Sequence, residues 1–347
     1  MWPTERTAIL VIHGMGQQNP FATLDLLVQR ILDPLEQLNP GKTISVHHSL
    51  HKQEHWAESR ISLRLDGNQD QAVDCYEYYW AHETQRLINL TEVFDWVLDT
   101  GVGAQDFYVD NPNLVHTGGP FKSGKFQKYW YLRQFAFSLG LFRLAAPLIG
   151  RLISSIPLIA KPSRAILNIL GRVAEPFLVD SMGDVAIYTT ADKKSQYYQV
   201  RQKILNGAVE KARWLLESDE PRYGRVVLIG HSLGSVIAYD VLNRINNQMN
   251  AGLVNKDLAK NIKGLATFGS PLDKVAFFFR TRAKRTQDVR KQMLDQYHGF
   301  RSKALYQSSA GGTADPILIS EIESLLDQGT RWLNFWDEKD PISGKRQ

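Results

Sequence analysis

Two uninterrupted apolar runs punctuate the chain: Thr7-Ala8-Ile9-Leu10-Val11-Ile12, closed by His13-Gly14-Met15-Gly16, and Val226-Val227-Leu228-Ile229, closed by Gly230. Short continuous runs bounded by glycine predict strands buried on both faces. Between and after them the period changes. Leu24, Leu27, Val28, Ile31 and Leu35 recur at three and four over 21–38, and Val200, Ile204, Ala208, Val209, Ala212 and Leu216 do so over 196–217. Both patterns predict amphipathic helices, and a third helix is expected over 233–246. Extended segments are expected near 43–50, 60–65 and 72–80, with Gly67-Asn68 turning the chain between the last two. Segments 265–269 and 331–336 read as further strands. Strands alternating with helices at this spacing imply crossover units, hence an α/β protein with a mainly parallel central sheet flanked by helices. No internal repeat and no long low-complexity tract interrupts the pattern.

At 347 residues the chain fits one large α/β domain with an insertion and can bury a sizeable core. Its single cysteine, Cys75, excludes an intramolecular disulfide and suits a reducing compartment. The polar start Met1-Trp2-Pro3-Thr4-Glu5-Arg6 lacks the basic-then-apolar pattern of a secretory leader. The expected location is cytoplasmic, with room for a peripheral membrane association. A formal charge of +5 is modest, and its distribution matters more than its total.

The most specific chemistry lies at Gly230-His231-Ser232-Leu233-Gly234. A serine between a buried strand and a helix start, flanked by glycines that remove colliding side chains, is the setting of an activated nucleophile. The helix N-terminus behind it offers backbone N–H groups and a partial positive charge. The competing reading is a tight strand-to-helix turn in which Ser232 only caps the helix.

That pentapeptide extended by Ser235, the early His13-Gly14-Met15-Gly16 and the later Phe268-Gly269-Ser270-Pro271-Leu272 together resemble lipase-type members of the α/β-hydrolase superfamily. The likeness covers roughly 7–20 and 223–344. It implies an α/β-hydrolase fold with a helical cap or lid insertion, dividing the chain into a core of 1–110 and 190–347 and an insertion of 111–189. It implies a lipase- or esterase-like serine hydrolase that cleaves acyl esters, lipid esters foremost, through an acyl-enzyme on Ser232. The backbone N–H groups of Leu233 and Met15 would form the oxyanion hole, with His13, Gly14 and His231 as the loops around it. No cofactor is implied.

In Trp332-Leu333-Asn334-Phe335-Trp336-Asp337-Glu338-Lys339-Asp340-Pro341 the resemblance assigns Asp340 as the triad acid that orients a histidine. Asp273 is its rival. Chain order in this fold is Ser, acid, then His, and none of the seven residues after Asp340 is a histidine. Three arrangements answer this. A gene product cut short before its histidine is the first choice. His298 paired with Asp273 keeps the order. A non-catalytic relative, acting as a membrane- or partner-binding module, is the third.

Between Asp110 and Glu175 there is no acidic residue, while Lys122, Lys125, Lys128, Arg133, Arg143, Arg151, Lys161, Arg164 and Arg172 alternate with apolar stretches. Arg143, Arg151 and the prolines 147, 157 and 162 break these stretches, so a membrane span is not expected. Basic flanks around bulky apolar residues suit an interfacial segment, and 122–172 is read as a peripheral contact with an anionic membrane. A cap packed on the sheet is the plainer alternative. The basic cluster 280–291 reads as a solvated helix face, and no recognition motif supports nucleic-acid binding.

Three lesser signals complete the picture. His47, His48, His51 and His55 lie near Glu54, but a strand running into a loop does not hold helical metal spacing, so no metal site is assigned. Tyr76, Tyr78, Tyr79 and Trp80 read as strand-end packing. Met182 to Tyr188 reads as a plain turn closing the insertion, with Asp184 placed either to cap it or to hold a site loop.

Overall fold

The computed structural model describes residues 2–16, 18–52, 57–85, 87–89, 92, 93, 95, 96, 105, 109, 121–123, 125–127, 183–190, 194–272, 325 and 329–336. Among them the chain forms β1 (Thr7–Ile12), α1 (Ala22–Leu38), β2 (Ile44–Lys52), β3 (Ala57–Leu65), β4 (Val73–Tyr78) and a small hairpin of β5 (Phe121–Lys122) and β6 (Lys125–Phe126). Residues 183–188 are helical, and α2 (Gln196–Glu217), β7 (Arg225–His231), α3 (Leu233–Asn250), β8 (Ile262–Phe268) and β9 (Arg331–Phe335) follow.

Seven strands form one mixed sheet in the order β2-β3-β4-β1-β7-β8-β9. β4, β1, β7, β8 and β9 run parallel, whereas β2/β3 and β3/β4 are antiparallel. The antiparallel ribbon has a local cause: Asp66 (φ 50°) and Gly67 (φ 74°) turn β3 back toward β4. At β1 the connectivity divides. The chain leaves β1 toward β2, β3 and β4 on one side, and leaves β7 toward β8 and β9 on the other. Loops leaving adjacent parallel strands in opposite directions open a crevice at their carboxyl ends, where ligands of open α/β sheets bind.

Alternation along each strand splits the core in two. Ala8, Leu10, Ile12, Val226 and Leu228 face α2 and α3, in a cluster with Ile204, Ala208, Ala212, Val236, Ile237 and Val241. Val11, Ile61, Leu63 and Cys75 face α1 through Leu24 and Val28. Burial in that second cluster pushes the Cys75 thiol up to about 12, which keeps it protonated. The α1 face extends over β1, β3 and β4. Further along the sheet, Phe268, Leu333 and Phe335 stay exposed.

A buried charge anchors the end of the sheet remote from the β1 and β7 loops. Asp74, fully buried, lies opposite Ala8. Its Oδ2 receives Arg6 Nη2 at 2.8 Å and the Tyr223 hydroxyl at 2.8 Å, and its Oδ1 receives Ser62 Oγ at 2.5 Å. Tyr76 donates in turn to Tyr223 at 2.6 Å. Both oxygens of the charge have donors, which is the condition for keeping it in a core. Removing one partner of such a set strands the others, so Asp74→Ala is expected to lower unfolding free energy by about 3 kcal/mol or more. A urea midpoint within experimental error of the parent would show that the network contributes nothing net.

No helix among the described residues is long and apolar enough to cross a membrane. The insertion 122–172 lies outside the described residues apart from the β5/β6 hairpin, whose Lys122 and Lys125 are exposed.

Candidate active site

Ser232 sits where β7 ends and α3 begins. Its backbone is at φ 50°, ψ −125°, a conformation that a residue with a side chain adopts only at a cost of about 1–3 kcal/mol. The surroundings over-determine it. Its N–H donates to the Phe268 carbonyl at 2.9 Å, and its carbonyl receives the Ser235 N–H at 2.9 Å and the Ser235 hydroxyl at 2.5 Å. A hydroxyl has one proton, so Ser270 Oγ, 2.7 Å from Ser235 Oγ, donates back to it. Ser235 and Ser270 thereby tie the turn to the loop after β8.

The glycines of the pentapeptide have steric reasons. A Cβ on Gly230 would come within 2.6 Å of the Gly234 carbonyl and the Ser235 nitrogen. A Cβ on Gly234 would overlap the carbonyl oxygens of Ile12 and His13. Helix α3 therefore starts directly against the carboxyl end of β1. Ser232 occupies the N-cap position, yet its side chain makes no capping hydrogen bond. The hydroxyl is therefore not spent on capping the helix. The residue retains 8% of its accessible surface, so the sharp turn leaves it more enclosed than a serine lifted clear of the sheet. His231, beside it, is exposed.

The loop after β1 lies against this turn. A Cβ on Gly14 would stand 3.0 Å from Ser232 Cβ and 3.0 Å from His231 Nδ1, so the two loops touch at a point where a side chain would have to push its neighbours aside. His13 holds the loop in place. Its ring is buried and stacks on Trp80 at 4.9 Å and 8°. Trp80 N–H donates to Nε2 at 2.9 Å, so the proton is on Nδ1, which donates to the Gly14 carbonyl at 2.8 Å. Trp80 Nε1 donates to the His13 carbonyl at 3.0 Å. Farther along, Tyr79 OH donates to the Gln18 carbonyl at 2.9 Å, Glu77 Oε2 receives the Phe21 N–H at the start of α1, and Asp184 Oδ2 receives the Gly16 N–H at 2.7 Å.

Fixing the Gly14 carbonyl has a geometric consequence. The peptide is planar and trans, so the Met15 N–H in the same plane points away from the His13 ring. Leu233 is the first residue of α3, and its N–H is among those a helix leaves without an intrahelical partner. The arrangement can place a hydroxyl beside a helix start and a glycine loop whose peptide planes are set in advance. Such preorganised N–H groups stabilise a developing oxyanion.

Of the residues singled out from sequence, the fold brings together Ser232, His231, Leu233, His13, Gly14 and Met15. Asp340, Asp273 and His298 lie outside the described residues. His47 and His48 fall on opposite faces of β2, and His47 Nε2 lies 3.0 Å from Ser45 Oγ. One expectation is corrected: residues 183–188 form a short helix, not a plain turn, because Ile187 and Tyr188 are buried in the core while Asp184 reaches the Gly16 amide. Sequence reasoning also missed the second role of Trp80. A strand predicted next to β1 could have suggested it, since neighbouring parallel strands end side by side.

No family model, curated protein or solved structure matches the chain.

Burial holds the His13 imidazole down at about 4, against an ordinary 6.5; the Gly14 carbonyl opposes this and nearby His82 and His231 add to it. As pH falls, the unfolded chain takes up the proton first. Stability contributed by neutral His13 is therefore present above about 6.5 and lost as pH falls toward about 4. The loss is worth about 3 kcal/mol over that window. Denaturant titrations between pH 7.5 and 4 should show this extra slope in the parent and not in His13→Asn; parallel profiles would mean the folded ring accepts the proton.

Proposed function

We propose that the chain has the α/β-hydrolase fold and is a serine hydrolase of acyl esters, with Ser232 as nucleophile. The observation that carries the reading is Ser232 itself: a strained N-cap serine whose hydroxyl does no capping, set against the Gly14 loop. In this reading Ser232 Oγ attacks the acyl carbonyl and its proton passes to a base. The Leu233 and Met15 N–H groups hold the resulting oxyanion. The alcohol leaves with a proton, and water releases the acyl group from Ser232. Asp340 orients the histidine base in the first arrangement; His298 with Asp273 supplies acid and base in the second.

The apolar surface beside the turn supports lipid esters as substrate. Phe268, whose carbonyl receives the Ser232 N–H, is 37% exposed and stacks on the half-exposed Phe335 at 4.6 Å and 6°. An exposed aromatic pair one strand from the nucleophile offers an acyl chain an apolar ledge. The basic insertion 122–172 completes the proposal as a peripheral contact with anionic membrane.

A fluorophosphonate probe should label the folded chain once, at Ser232, and labelling should vanish in Ser232→Ala. A well-folded parent that takes no label would instead favour a pseudohydrolase that binds a membrane or a partner. The membrane contact is tested separately. The chain should sediment with phosphatidylserine-containing liposomes and not with neutral ones, and neutralising the lysines and arginines of 122–172 should abolish this, since each basic group contributes about 1 kcal/mol at an anionic surface. Equal sedimentation of the neutralised variant would remove the idea.

A further inference from the structure

The second oxyanion donor proposed above is a loop amide, and loop amides hold a direction only if something else fixes their planes. Met15 has a peptide on either side. The Gly14–Met15 peptide is held by its carbonyl, which receives His13 Nδ1–H at 2.8 Å. The Met15–Gly16 peptide is held at both of its polar atoms: its carbonyl receives Gln18 Nε2 at 3.2 Å, and its N–H donates to Asp184 Oδ2 at 2.7 Å. Gly16 stands at φ 87°, where a side chain would resist the loop's course. Two planes fixed on either side of one Cα leave Met15 no torsional freedom, so the direction of its N–H follows.

Asp184 is buried and 168 positions away in sequence from the amide it receives. Its own support is stiff. The helix 183–188 that carries it ends in Tyr188, fully buried, whose hydroxyl donates to Asp240 Oδ2 at 2.9 Å. Arg201 Nη2 stands 3.5 Å from the same oxygen, and its guanidinium lies 5.3 Å from the centre of the Tyr188 ring. Asp240 belongs to α3, the helix that begins at the nucleophile. One short helix therefore grips the β1 loop at one end and the nucleophile's helix at the other.

We propose that Asp184 is a positioning residue: by holding the Gly16 amide it sets the Met15 N–H against Ser232. The proposal rests on the serine-hydrolase reading. A carboxylate is suited to the task because a charge-assisted bond to a backbone amide is shorter and stronger than a neutral one. An asparagine keeps an oxygen acceptor at the same place without the charge, whereas alanine removes it.

The test measures fluorophosphonate inactivation at saturating and subsaturating probe, on the parent, Asp184→Asn and Asp184→Ala, each checked for folding by thermal melting. Removing an oxyanion donor costs about 100- to 1000-fold, so misdirecting one should lower the maximal inactivation rate of Asp184→Ala by about 10-fold or more. The probe concentration at half-maximal rate should move by less than about 2-fold, because the lost interaction is made chiefly in the transition state. Asp184→Asn should recover most of the rate. Hydrogen exchange over 13–20 should accelerate in Asp184→Ala and stay near the parent in Asp184→Asn. A labelled parent with an unchanged Asp184→Ala rate overturns the proposal, as does a loss confined to probe affinity. An unlabelled parent sinks the hydrolase reading, and Asp184 then keeps only a structural hold on the loop. Exchange unchanged in Asp184→Ala overturns even that hold.

Discussion

Gly234 has no room for a side chain because the last carbonyls of β1 occupy the space, and a Cβ on Gly14 would press on Ser232 and His231 at 3.0 Å. These two close approaches are one constraint seen from both sides: β1 and β7 are neighbours, and their exits leave in opposite directions across the sheet. A helix that starts flush against a neighbouring strand cannot relax its first turn. Ser232 is then confined to a positive φ by bonds from Ser235 and to Phe268. The strain is a product of the packing and is local to the turn. The same packing sets the first turn of α3, and with it the direction of its amides, against the end of β1.

The two buried carboxylate networks divide labour along the sheet. Asp74 joins Arg6, Ser62 and Tyr223 at the amino ends of β1 and β4, remote from the Ser232 turn. It stitches together segments distant in sequence and is satisfied by its own set of donors. Asp240 and Asp184 work at the other end. Asp240 binds α3 to the helix 183–188 through Tyr188, and that helix delivers Asp184 to the loop after β1. A charge in the interior is costly unless several donors converge on it, and convergence requires exact placement of the elements that carry them. Both networks therefore fix geometry at least as much as they add stability.

The strands, the helices and the serine turn were legible because their signals are local. Apolar runs, periods of three and four, and glycines at fixed offsets all act within a few residues, and the ends of α2 and β1 fall close to where the pattern puts them. The Gly14 loop was legible through resemblance, since nothing in Ile12-His13-Gly14 alone says what it touches. Trp80 and Glu77 were not legible as holders of that loop, and Asp184 was legible only as one of two alternatives, a cap or a hold on a site loop. Their partners lie 67, 56 and 168 positions away, and become neighbours only once the strand order is known. Tyr76 and Trp80 are buried, as their reading as strand-end packing implies, but the Trp80 amide, which sets the His13 tautomer, has no sequence signature. Asp340, Asp273 and His298 fall outside the described residues, so the proposed acid and base rest on the resemblance and on chain order.

His13 shows why a histidine in a candidate site should be assigned from its partners before its position. It sits at the carboxyl end of β1, a place where a general base would be sought, and among the described residues it is the only imidazole buried at the turn. Yet both ring nitrogens are committed, Nδ1 to the Gly14 carbonyl and Nε2 to the Trp80 amide, and stacking on the indole leaves the ring no path to swing out. Burial also holds it neutral to about pH 4, so it would surrender rather than keep an abstracted proton near neutrality. A ring so placed is fit to aim a peptide and unfit to shuttle a proton. The same two bonds that hold the loop commit the ring, so a base for the proposed hydrolase chemistry would have to come from another residue.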